Sequence, residues 1–120
     1  MKARLQKFLS IFKMELEETM EDLNNLLDIY RHWAEKHDIT NYVFQENSSL
    51  VQAEIAALHS MFKLVDSFRA ENYQTLEALV EDVLSRFKSE IKHKGYPQAL
   101  YVLLERKVQK VVKYISLEQN

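Results

Sequence analysis

The sequence predicts an all-α fold: an antiparallel up-down four-helix bundle with an overlong first helix. Three observations carry this. The 120 residues include one glycine, Gly95, and one proline, Pro97, and sheet proteins need far more turn residues than that. Apolar residues recur three and four positions apart along nearly the whole chain, the spacing of helices that bury one face. The balance of 47% hydrophobic to 28% charged residues is that of a globular chain, and this length suits a single domain over 1–120.

The first helix carries the clearest pattern. Leu5, Leu9, Phe12, Leu16, Thr19, Leu23, Leu26, Tyr30, Trp33 and His37 alternate four and three residues apart, a heptad seam of coiled-coil type. With no Gly or Pro inside it, this helix is expected to span 2–37. The segment 38–48 has no period and reads as a connection. Ser49, with Gln52 three residues on, reads as a capping box opening a second helix. Its stripe of Leu58, Met61, Val65 and Phe68 continues through Asn72 to Leu76, Leu79, Val83 and Phe87. Asn72 therefore marks either a corner where it caps a third helix, the preferred reading, or the middle of one helix over 49–94, which would leave three helices. Gly95 ends the next helix and Pro97 begins the last, whose stripe is Leu100, Leu104, Val108, Val111 and Ile115.

Helix lengths raise a question of cover. The last three helices run to ~20 residues, so the first overhangs them by roughly 20 Å at 1.5 Å per residue. Its first half is apolar nearly all round. A second chain covering Phe8, Ile11, Phe12 and Met14 would answer both points, and a homodimer is the commonest way to supply one.

Composition excludes much chemistry. Glycine-rich phosphate cradles are missing, and a chain without cysteine has no thiol nucleophile, disulfide or thiolate-bound zinc. The start MKARLQKFLSIFK is charged and then apolar, but Lys13 interrupts it and no cleavage pattern follows. No run approaches ~18 apolar residues, so the expectation is a cytoplasmic protein without a membrane span.

One stretch demands a chemical reading. EETMEDL packs Glu17, Glu18, Glu21 and Asp22 into a turn and a half. In the heptad frame Glu17, Glu18 and Glu21 face away from the seam, as does Glu35, and Glu21 stands about 21 Å from Glu35 on a continuous helix. The residues by themselves read as a solvated acidic face. The pattern Glu17-Glu18-x-x-Glu21 followed by Glu35-x-x-Asp38 resembles that of the MazG-type nucleoside triphosphate pyrophosphohydrolases. That resemblance covers residues 17–38 only. It implies a Mg²⁺ site formed by Glu17, Glu18, Glu21, Glu35 and Asp38, with the helix doubling back near Asn24-Asn25.

Other constellations are thinner. Glu90-x-x-His93 is a single copy of a motif that di-iron bundles use twice. Arg31-x5-His37 resembles the Arg-x4–6-His element of HEPN-type ribonucleases, but lies on the first helix where that family has it on a late one. The aromatic residues Tyr30, Trp33, Tyr42 and Phe44 read as end packing or as the wall of a small pocket.

Charge is segregated. Residues 1–14 are net +4, residues 15–85 net −11 and residues 86–120 net +5. A patch of Arg106, Lys110 and Lys113 joined to the start of the first helix would suit nucleic acid or anionic lipid. The overall net charge of −2 argues against nucleic acid. The expectation is thus a non-enzymatic bundle acting through self-association and protein–protein contact, with no catalytic residue, cofactor or resident metal.

Overall fold

The structure, a computed structural model, describes residues 2–118. It is all-α: helices α1 (Lys2–Glu35), α2 (Asn41–Asp66), α3 (Leu76–Lys94) and α4 (Gln98–Glu118), with a 3-10 turn over Ala70–Asn72 and no strand among the described residues. The corner reading holds, since the chain leaves helix at Asp66 and re-enters at Leu76. A continuous helix over 49–94 is ruled out. The cap is Thr75, not Asn72: its side chain accepts a hydrogen bond from the Ala78 N–H at 3.1 Å. Gly95 ends α3 with φ 71°, the left-handed conformation that glycine adopts without strain.

The connection expected at 38–48 is much shorter. α2 begins at Asn41, so Ser49 and Gln52 lie inside it. The sequence signal was Thr40, whose Oγ1 accepts from the Val43 N–H at 3.1 Å, a side-chain cap. α1 stops through a Schellman-type turn. The His37 N–H donates to the Ala34 carbonyl at 3.1 Å and the Asp38 N–H to the Trp33 carbonyl at 2.8 Å, with His37 at φ 63°. A connection this short makes α1 and α2 antiparallel neighbours.

The chain forms two compact units, one from the residues up to Glu15 together with those from Lys63 onward, the other from Leu16–Phe62. The first unit holds the aromatic core. Phe8, Phe12 and Phe87 are fully buried, with Phe12 and Phe87 ring centroids 5.8 Å apart and Phe8 stacked on Phe12 at 5.9 Å. Each such side chain contributes about 2–3 kcal/mol by leaving water. The buried stripe of α3 is Leu76, Leu79, Val83, Phe87 and Ile91, and that of α4 is Leu104, Val108, Val111 and Ile115.

This packing corrects one expectation. Phe8 and Phe12 need no second chain, because their own chain covers them completely. The first half of α1 buries one stripe, Leu5, Phe8, Leu9 and Phe12, against this unit and leaves Ala3, Gln6, Lys7 and Ser10 exposed. Ile11 is half-buried, and only Met14 of the four expected interface residues is well exposed, at 65%.

The second unit is a helical hairpin with far less inside it. Leu16, Val51, Ala57, Leu58 and Met61 are its buried apolar residues, and nothing from Glu17 to Asn47 is buried. Here the heptad seam loses its grip. A straight α-helix drifts by about 20° per heptad from a strict seven-residue repeat. The seam is buried at Leu5, Leu9, Phe12 and Leu16, half-buried from Thr19 to Tyr30, and exposed at Trp33 and His37. Met20, Leu27 and Ala34 take over as half-buried positions.

Candidate functional site: an apolar flank on the α1–α2 hairpin

The acidic stretch can be placed first. α1 is unbroken from Lys2 to Glu35, so Glu17, Glu18, Glu21 and Glu35 all ride on one continuous helix. These residues, with Asp22 and Asp38, are exposed. The doubling back that a shared Mg²⁺ site requires does not occur, and Asn24 spends its amide on the Met20 carbonyl at 3.1 Å, within the helix. Among the described residues no three His, Cys, Asp or Glu side chains are grouped so as to hold a metal ion.

Arg31 pairs with Asp28 at 3.0 Å, while His37 serves the turn. Glu90 pairs with Lys94 at 3.4 Å. Tyr30, Trp33, Tyr42 and Phe44 do not line the depression at the hairpin turn. A shallow open depression of about 430 Å³ at the hairpin turn is lined by Ala34, His37, Asp38, Ile39, Thr40 and Asn41.

The basic patch is largely spent within the first unit. Lys110 of α4 is ion-paired with Glu15 at 2.7 Å and Lys13 with Asp66 at 3.1 Å. Lys2 Nζ donates to the carbonyls of Ala70, Glu71 and Tyr73, a cation at the carbonyl end of the 3-10 turn. Arg106 and Lys113 are exposed and form no ion pair among the described residues.

Sequence reasoning missed the polar cluster beside that turn. Tyr73 Oη donates to the Asp82 carboxylate. Burial, the hydrogen bond and the Asp82 charge together push the Tyr73 hydroxyl up to about 12, against a smaller opposing effect of Arg86. Arg86 itself lies over the Phe68 ring, 5.4 Å from its centroid. No spacing rule joins Lys2, Tyr73 and Asp82, which meet only through tertiary packing.

What stands out is apolar surface on the hairpin. Ile29 is 45% exposed, Trp33 41%, Val43 38% and Leu50 61%. Leu26, Ile29 and Trp33 follow one another along a flank of α1; Val43 and Leu50 follow along a flank of α2. At about 100° per residue, each flank precedes its helix's half-buried line by about a quarter turn. α1 and α2 run in opposite directions and face each other, so the same angular offset brings both flanks out on one side of the hairpin. The acids Glu17, Asp28 and Glu35 fall on the other side. The hairpin is therefore amphipathic as a pair of helices. Trp33 is held against Tyr30, with ring centroids 5.9 Å apart.

The chain matches no known protein family, no curated protein and no solved structure.

Proposed function

We propose that this chain works by protein–protein contact, with no chemistry of its own, and that its contact surface is the apolar flank of the hairpin. One observation carries the reading. Over Glu17–Asn47 no side chain is buried, while Ile29, Trp33, Val43 and Leu50 stand in water on one side. Single exposed apolar residues are ordinary, but a row shared by two adjacent helices is the usual mark of an interaction surface. A Trp at its end has the large, rigid area that dominates interface energetics. Self-association, expected from the first half of α1, moves in this proposal to the second half. A cytoplasmic working place belongs to the same proposal and rests on the amino-acid sequence.

Sedimentation velocity over a wide concentration range tests this. The wild-type chain is expected to dimerise with concentration. Trp33→Asp and Leu50→Asp should each weaken the dimer and leave helix content intact, whereas Phe8→Asp should unfold the chain. A single-chain mass at every concentration would overturn self-association through this flank.

A further inference from the structure

The exposed flank also offers spacings that a second helix can follow. Leu26 and Trp33 are seven apart, as are Val43 and Leu50, and so are Asp22, Ile29 and Lys36. Seven-residue spacing keeps a ridge in step with a neighbouring helix that it supercoils around. Trp33 belongs to the seam that is buried at Leu5, Leu9, Phe12 and Leu16, and by this level the helix has carried it outward beside Ile29. A helical partner suits a ridge of this spacing.

Charge then selects which helix. The side chains of Asp22 and Lys36 are exposed and form no ion pair or hydrogen bond within the chain among the described residues. They lie seven residues to either side of Ile29. An antiparallel copy of the same ridge, centred on Ile29, sets Asp22 of each copy opposite Lys36 of the other.

The second helix agrees with this register. Ile29 lies six residues before the end of α1 at Glu35, and the same level on α2 is six residues after Asn41, at Asn47. A two-fold axis through that level brings Leu50 of one copy to the level of the Val43–Phe44 turn of the other, and Asn47 to the level of its own image. Trp33 comes level with the Leu26 turn across the axis.

We propose that the flank is covered by a second copy of this chain. Two hairpins pack face to face and antiparallel as a four-helix bundle, with a two-fold axis passing Ile29 and Asn47 and reciprocal Asp22–Lys36 pairs. This rests on the contact reading above and specifies its geometry. Two helices over about 22 residues offer a face of about 33 by 20 Å, so about 1,300 Å² is buried in total, at the lower end of stable interfaces. The dimer is accordingly concentration-dependent.

Because the chain has no cysteine, Ile29→Cys is a clean probe. Residues meeting across a two-fold bring their Cα atoms within the ~7 Å that a disulfide needs. Mild oxidation should link the variant into covalent dimers, while Asn24→Cys, well round the same helix, should stay monomeric on a non-reducing gel. Asp22→Lys and Lys36→Asp should each raise the dimer dissociation constant about tenfold, two symmetric pairs being lost at once. The double swap should restore it to within about threefold of wild type, on the same basis.

The failures separate. A dimer that Trp33→Asp dissociates, but that neither crosslinks through Cys at position 29 nor recovers in the double swap, overturns this register and leaves the contact surface standing. A chain that stays monomeric overturns both.

Discussion

The residues up to Glu15 with those from Lys63 onward, and the hairpin Leu16–Phe62, are built from similar helices yet differ in what they enclose. Among the described residues, sixteen buried apolar side chains lie in the first unit and five in the second. Both leave large apolar residues exposed, among them Met14, Val102 and Leu117 in the first and Ile29, Trp33, Val43 and Leu50 in the second, but the three fully buried phenylalanines all lie in the first. The difference is one of geometry more than composition. A helix with neighbours on several sides buries a wide arc, whereas in a lone pair of helices each can bury only the line facing the other. The outer flank then stays wet unless something else covers it.

The largest effect should come from breaking the better-filled unit. Phe87→Ala removes a fully buried ring that packs on Phe12 and should cost about 3–5 kcal/mol. Trp33→Ala, a larger truncation on the hairpin, should change monomer stability by under ~1 kcal/mol, because the ring is already 41% exposed. Urea denaturation at low protein concentration compares the two directly. Equal losses would mean that the hairpin is as tightly filled as the aromatic core.

A smaller effect is expected at the polar rim of the first unit. Tyr73→Phe loses the hydrogen bond to Asp82 and should cost about 1 kcal/mol near neutral pH. The wild type has a further signature. Its Tyr73 hydroxyl is pushed up to about 12 from 10.0, so the unfolded chain ionises first as pH rises. The stabilisation is fully present below pH 10 and is lost as pH climbs toward 12. Melting curves across that window should show a steeper decline for wild type than for Tyr73→Phe.

The smallest effect sharpens the hairpin side. His37 holds φ 63° at the turn, where glycine carries no Cβ penalty. His37→Gly should therefore stabilise the chain by a few tenths to about 1 kcal/mol, read as a rise in urea midpoint with unchanged slope. Destabilisation would mean that the imidazole holds the turn by contacts of its own.

Much of the architecture was legible in the residues. Gly95 and the break before Leu76 follow from local rules, and so does the buried stripe of each of the last two helices. Thr40 and Thr75 were equally local signals, but Ser49 and Asn72 offered competing caps, and the chain chose by packing. The role of Phe8 and Phe12 was not legible. An all-round apolar segment reads the same whether its own chain or another covers it. The exposed flank was hidden for a different reason. A seven-residue repeat in the sequence implies a supercoil, and only the loss of burial along α1 shows Trp33 carried off the inner seam. The Lys2–Tyr73–Asp82 cluster leaves no trace in the sequence, because Lys2 lies 71 residues from Tyr73 and no helical spacing joins Tyr73 to Asp82.

The aromatic core also imposes an order of events on the ribosome. Phe8 and Phe12 emerge early, yet Phe87 and the stripe of α4, which complete their unit, are made 75 to 103 residues after Phe12. At about 5–20 residues per second, the earliest-made apolar surface waits several seconds for the latest-made to arrive. During that interval the nascent chain carries its stickiest segment uncovered. The demand for protection during synthesis is set by the distance along the chain between two phenylalanines that end up 5.8 Å apart.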